Sequence, residues 1–536
     1  MRFVALVLCA LLGSGCTSLR QWRRNGFKVG PNYARPAAPV ADAWIDAADP
    51  RIQAQMAWDP AWWTVFNDPV LDGLIETAHR QNLDLRTAGT RILEARAQRS
   101  IAAGRLFPQS QTAVGGFVHA QVSRNLAKGL GNLPLPNVIN LWADGFNASW
   151  EPDFWGRFRR GIEAADAGVT ASVHDYHDML VLLLSEVATS YVQLRTFQQR
   201  LDYARRNVEI QTGASHLAEA RFKDGATTEL DVQQASSNLA QTEASIPPLE
   251  AGLRQAGNHL CLLLGLLPRD LAAMFDAGPI PVAPVEAAVG LPAELLVRRP
   301  DVRRAERELA AQSARIGIAT SDLYPRLGVT GFIGYVGDDL KDLFASKSFT
   351  GFIIPSFQWN ILNYGRIKNN IRLQDARFQG KLLQYRQTVL RAGREVEDGL
   401  VGFVQAQRQA QRLELSVRAA ERSVELVLTQ YRGGVTDFNR VFNTQALLVA
   451  QQDQLALARG NIAINLIGVY RALGGGWEYF AQHGCVLRRS EPLPKPPEPL
   501  PAPPEPLPKP PAPQPHRRLG ISRLKGLAEG LGMPPA

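Results

Sequence analysis

Two kinds of hydrophobic pattern alternate along the chain. From Leu327 to Tyr335, one parity carries Leu327, Val329, Ile333 and Tyr335, and the other Gly328, Thr330, Phe332 and Gly334. From 348 to 359, Phe349, Ile353, Phe357 and Trp359 alternate with Ser348, Thr350, Ser356 and Gln358. A period of two with one apolar face predicts strands, and it suits a sandwich and a membrane barrel equally. Segments 107–120 and 138–150 alternate less cleanly. The other pattern is long, polar and rich in alanine. Residues 157–246 and 356–491 contain no proline, and 157–224 alone would make a 68-residue helix about 100 Å long. Helices in soluble domains average about 11–12 residues. One this long needs neighbours of equal length, in a coiled-coil-like bundle or helical tube.

The pattern occurs twice. Trp150 and Trp359 lie 209 residues apart, as do Glu186 and Glu395, Phe222 and Tyr431, Gly225 and Gly434, Thr227 and Thr436, and Gly265 and Gly474. Upstream, Leu106-Phe107-Pro108 matches Leu323-Tyr324-Pro325 at an offset of 217, so the first copy carries 217 − 209 = 8 extra residues before its tryptophan. A constant offset over this distance marks a tandem duplication. The expected organisation is a leader at 1–15, an N-terminal segment at 16–66 and a first repeat at 67–290, with strands near 107–120 and 138–150 and a helical hairpin turning at Gly225. A second repeat follows at 291–480, with strands near 324–336 and 348–359 and a hairpin turning at Gly434. A proline-rich tail spans 481–536.

The N-terminus reads as an address. Arg2, the apolar run Phe3 to Leu12, and Gly13-Ser14-Gly15-Cys16 describe a secretory signal. Small residues leading into Cys16 look like a bacterial lipobox in which that cysteine is acylated, although the large aliphatic residue, Leu12, stands one place early. An ordinary cleaved signal is the alternative. Thr17, rather than Asp, suits an outer-membrane destination. No later window holds about 18 consecutive apolar residues, so no hydrophobic helix crosses a membrane and only strands could.

Composition narrows the classes. With 45% hydrophobic and 20% charged residues in 536, global disorder is excluded. The net charge of +9 is modest for this length and spread along the chain, which argues against the concentrated basic face of a nucleic-acid binder. Counting strands then decides the assembly. Two copies supply four strands, whereas a membrane barrel needs at least about eight. Strands in a membrane therefore require an oligomer, whose helices can continue as a tube on the same symmetry axis.

Several segments resemble one family. Phe27 to Tyr33 (Phe-Lys-Val-Gly-Pro-Asn-Tyr), Leu291 to Glu306 with its Arg299-Pro300-Asp301 core, Leu323 to Leu327, Ile246 to Gly265 and Leu455 to Trp477 are similar to the lipoprotein branch of the TolC-like outer-membrane efflux family. The resemblance implies a mixed α and β fold: a homotrimer with a 12-stranded outer-membrane β-barrel, four strands per chain, continuous with a long periplasmic α-helical barrel and girdled by an equatorial collar. It implies a passive exit duct, lipid-anchored through Cys16 in the outer membrane. The duct would dock to a periplasmic adaptor and an inner-membrane pump, usually of the proton-driven RND type exporting drugs or metal ions. The same duct serving type I protein secretion is a neighbouring reading. A periplasmic coiled-coil lipoprotein whose strands form a small soluble sheet is the reading from another class.

In that family the hairpin tips constrict the tunnel. Gly225 and Gly434 suit left-handed positions after a helix C-terminus. Thr228 with Asp231 can cap the next helix of the first copy, and Thr436 or Asp437 that of the second. Asp231 and Arg440 are equivalent by 209 residues and are expected to pair between helices. The resemblance implies a bond from Tyr431 to an acidic side chain. It also implies an acidic ring nine residues past the second glycine, where this chain has Asn443; with Arg440 at the sixth, a purely acidic aperture is not expected. Elsewhere, His174 and His177 share a helix face but lack a third ligand, and a solvated polar face is expected there. Cys261 reads as a small core residue, and no metal, cofactor or catalytic motif stands out. The run from Pro492 to Pro515, about 75 Å as polyproline II, leads to the basic end His516-Arg517-Arg518 and reads as an extension or a periplasmic spacer.

Overall fold

The computed structural model describes residues 19–53, 59–121, 138–271 and 278–483. The leader, Cys16 and most of the proline-rich tail lie outside them. A short helix, Leu19–Arg24, comes first. Helices α1 (Pro69–Gln81) and α2 (Leu83–Gly104) precede the strands β1 (Ser110–Gln121) and β2 (Val138–Trp150). Helix α3 (Arg157–Lys223) then runs for 67 residues and returns as α4 (Glu229–Leu263) over 35. The second copy repeats the order with α5 (Pro300–Ser321), β3 (Arg326–Gly337), β4 (Phe349–Gln358), α6 (Arg366–Arg432) and α7 (Phe438–Ala472), the last two again 67 and 35 residues long. At about 1.5 Å per residue the outgoing helices are about 100 Å long. Helix α4 continues through Pro247 and Pro248, whose missing N–H groups leave two bonds of one turn unmade.

The strands form one antiparallel sheet in the order β1-β2-β3-β4, so the copies meet at β2·β3. Its register gathers the apolar parities on one face. Leu327 opposes Phe357, Tyr335 opposes Phe349, Ile333 opposes both Phe146 and Gly351, and Trp142 opposes Phe117. These rings and branched chains stand far out: Ile353 is 77% and Phe357 71% exposed. The other face carries Ser110, Thr112, Asn147, Ser149, Thr330 and Ser356, with Phe332 lying against Gly145 and Gly334. Four strands with one apolar exposed face and free edges at β1 and β4 are a segment of a barrel wall rather than a closed sheet. Among the described residues, no helix is long and apolar enough to cross a membrane.

The main core sits where the long helices cross the N-terminal segment. Trp62, Leu71, Ile75, Leu184, Tyr191, Leu260, Phe403 and Leu466 are buried together, and Trp62 stacks on Tyr470 at 5.6 Å. The family-like motifs tie this region down. Gly30 approaches Gly317 of α5 so closely that a Cβ on Gly30 would lie 2.4 Å from the Gly317 Cα, so Gly30 admits no side chain, while a Cβ on Gly317 would press on the Arg160 side chain at 2.9 Å. Buried Arg299 bonds Asp301 at 2.7 Å, Glu395 of α6 at 2.9 Å and the Ala472 carbonyl at 2.5 Å. Pro300, at the first turn of α5, needs no N–H there. Glu306 accepts from Tyr33 at 2.5 Å. The Arg-Pro-Asp block is thus a clamp between α5, α6 and the end of α7.

His174 and His177 correct an expectation. They do not lie on a solvated face but against α5 and the helix Trp477–His483, with His174 buried and His177 stacked on Trp477 at 4.4 Å. Burial, with Arg303 nearby, lowers both imidazoles to about 4. Among the described residues, no three His, Cys, Asp or Glu side chains come together to hold a metal ion. Cys261 is fully buried in the main core.

Candidate functional site at the hairpin tips

Both long hairpins turn by the same backbone device. In the first, Gly225 N–H bonds the Phe222 carbonyl at 3.0 Å and Ala226 N–H the Arg221 carbonyl at 2.8 Å. In the second, Gly434 N–H bonds the Tyr431 carbonyl at 3.0 Å and Val435 N–H the Gln430 carbonyl at 2.9 Å. Gly225 and Gly434 have φ of 65° and 74°, the left-handed conformation that a side chain would strain.

The side chains then diverge. Tyr431 is buried in a small cluster with Phe438, Val441, Val427, Ala214, Ala218 and Ala235. Its ring meets Phe438 edge-on at 5.3 Å and lies 4.7 Å under the Arg221 guanidinium, which also donates to the Tyr431 carbonyl. The Tyr431 hydroxyl donates to Asp231 at 3.4 Å, and the Thr227 hydroxyl donates to the same carboxylate. Burial and the Asp231 charge raise the phenol, so it stays protonated and able to donate.

Two expectations fail here. Asp231 and Arg440 do not pair within the protomer: Asp231 is taken up by Thr227 and Tyr431, while Arg440 projects exposed from α7. Thr228 occupies the cap position of α4 without a side-chain cap bond, whereas Asp437 caps α7 by accepting from Arg440 N–H at 3.2 Å. Asn443 is exposed and bonds Asn439 at 3.2 Å. Arg221 and Thr227 carry no charge pattern that singles them out, but Thr227 already stood among the residues repeated at 209.

Above the tips, buried amides join the copies. Asn238 donates to Gln445 at 3.0 Å and Asn207 to Gln452 at 2.7 Å, while Gln452 donates to Glu421 at 3.0 Å. Directional bonds in an apolar seam fix helix register more than they add stability.

The profile of the family described as "Outer membrane efflux protein" matches residues 74–266 and 291–475, one stretch in each copy. The chain belongs to that family. Its pyoverdine export relative OpmQ of Pseudomonas putida is 31% identical over 438 residues, covering 80% of this chain and 90% of that protein. The cation efflux system protein CusC of Escherichia coli is 28% identical, covering 85% and 96%. Among solved structures, the outer-membrane channel OprN superposes with a TM-score of 0.78 at 32% identity, covering 84% of this chain and 99% of that one. The chain is an outer-membrane efflux channel of the TolC-like fold, with four strands of a trimeric twelve-stranded barrel above a periplasmic helical tunnel. Members of the family are channels rather than enzymes, form trimers, and work with an adaptor and an inner-membrane pump. This sets aside the soluble coiled-coil reading.

Proposed function

We propose that the trimer is the exit duct of an RND-type efflux machine for small, chemically varied cargo, held in the outer membrane partly by acylation of Cys16. The observation that carries it is the pair of equal hairpins, 67 and 35 residues in each copy, long enough to line a bore about 100 Å deep when three copies close around one axis. Relatives named for pyoverdine and for cations carry unlike cargo, as a duct that leaves selection to its pump would allow. Both concern small solutes, which favours efflux over protein secretion. The trimer is expected to show heat-modifiable mobility and single-channel conductance in planar bilayers; a monomer without conductance would overturn the reading.

We assign closure of the tunnel to the tips. Tyr431, Asp231 and Thr227 hold one hairpin against the other through weak bonds, and Arg440 and Asn443 project from α7 towards the aperture. Hydrogen bonds of this kind contribute about 0.5–1.5 kcal/mol each, so closure built from a few of them yields to a docking partner. Arg440→Glu replaces three basic side chains of the trimer with acidic ones, at the positions equivalent to Asp231, and is expected to raise basal conductance and cation preference. Conductance like wild type would remove Arg440 from the gate.

A further inference from the structure

We infer that the helix Leu19–Arg24, with the aromatic cluster it covers, is a second anchor that binds anionic phospholipid headgroups of the membrane's periplasmic leaflet. It rests on the barrel lying in the outer membrane. Arg20, Arg23 and Arg24 are exposed, and among the described residues no carboxylate pairs with them. The carboxylates of the same junction are engaged elsewhere: Asp153 with Arg159 at 2.9 Å, Glu163 with Arg160 at 2.7 Å and with Lys28, and Glu151 with Arg157 at 3.9 Å. Among the described residues, three cations on six positions are thus left without an acidic partner.

Position says what faces them. Trp22 turns inward, with ring centroids 4.8 Å from Phe27, 5.0 Å from Phe154 and 5.6 Å from Trp155. Arg159 donates to the carbonyls of Gly26 and Phe27 at 2.7 and 2.8 Å, and Val29 N–H bonds the Trp155 carbonyl at 3.0 Å. These bonds fix the segment only a few residues beyond Trp150, where β2 leaves the barrel. Amphipathic aromatic rings at that level match the interfacial belt of membrane proteins. Phe27 and Phe154 remain 48% and 45% exposed beside the three guanidinium groups. Apolar rings flanked by unpaired cations complement a phosphate-bearing lipid surface. Leu19 follows Cys16 by three positions, a reach of at most about 10 Å, so an acylated Cys16 would place its chains beside this patch.

The test uses the full-length trimer purified in detergent and offered phosphatidylglycerol, phosphatidylethanolamine or phosphatidylcholine, with retained lipids counted by native mass spectrometry. Wild type is expected to retain phosphatidylglycerol over phosphatidylcholine, and to lose that preference near 0.5 M salt, where the screening length falls to roughly 4 Å. The triple variant Arg20→Gln, Arg23→Gln, Arg24→Gln should retain about tenfold less phosphatidylglycerol, with phosphatidylcholine unchanged. The triple Lys variant should keep most of it. Equal retention by wild type and the Gln variant, or no anionic preference in wild type, overturns the anchor. Conductance measured on the same preparations separates the two readings: an active pore without lipid preference sinks only the anchor, whereas neither trimer nor pore sinks the channel.

Discussion

The two hairpin tips share a backbone and differ in chemistry. The turn bonds superpose at an offset of 209 residues, yet Phe222 is 44% exposed while its counterpart Tyr431 is 1% exposed. Asp231 is drawn inward to two hydroxyls, while its counterpart Arg440 faces solvent. Duplication preserved what sets length and direction and released the positions that touch a neighbour. The second hairpin carries the apolar core of the tip, and the first contributes small alanines, Arg221 and Asp231 to it.

The strongest challenge to that asymmetry is truncation of each aromatic. Tyr431→Ala removes a fully buried ring, its cation–π contact and its bond to Asp231, and should cost about 3 kcal/mol locally. Phe222→Ala should cost less than about 0.5 kcal/mol. Hydrogen exchange of amides around 214–235 and 424–445 would read both; equal loss of protection would mean the tips are energetically alike.

Higher up, the first copy buries His174 and His177 where the second exposes Leu383 and Arg386. As pH falls from 6.5 towards 4, the unfolded chain protonates imidazoles that the folded chain keeps neutral, so stability present above 6.5 is lost. Asp178, pushed up to about 6 by burial and Asp301, takes a proton in the fold before its ordinary 3.8 and returns part of that loss. For these three groups the net is about 3 kcal/mol less stability at pH 4.5 than at pH 7. Thermal melts should show it; a slope unchanged in the His174→Gln, His177→Gln variant would place the acid sensitivity elsewhere.

A third contrast lies at the foot of the barrel. Trp155 stacks on Tyr324 at 4.5 Å and donates to the Pro325 carbonyl at 2.8 Å. The equivalent residues, Tyr364 and Phe107, are 98% and 67% exposed. Within a trimer the same contact is expected between Tyr364 of one protomer and the neighbouring copy's Phe107, each worth about 1 kcal/mol. Tyr364→Cys with Phe107→Cys should cross-link into covalent trimers, and Trp155→Cys with Tyr324→Cys should close within one chain. Absence of the first product alone would break the analogy between the two seams.

What was legible was whatever repeats or alternates. The 209-residue offset, the glycine turns and the apolar parity of β3 and β4 follow from local chemistry copied twice. The histidine environment was not legible, because the surface covering it comes from α5 and Trp477, more than a hundred residues away. Opposite charge suggested Arg440 as the partner of Asp231, but Tyr431 hydroxyl, Thr227 and the inward side of α4 decide that geometry. The weaker alternation in β1 and β2 has a visible source: Asp144, His119 and Asn140 share the face of Phe117 and Phe146.

The matched lengths, 67 and 35 residues in each copy, also constrain descent. A two-turn insertion confined to one hairpin would leave three tips projecting about 10 Å past the other three, an uneven rim on which neither closure nor docking could be shared. Lineages can lengthen or shorten such a conduit only by altering both halves of the gene together, so span evolves in paired steps while the tip residues drift one at a time.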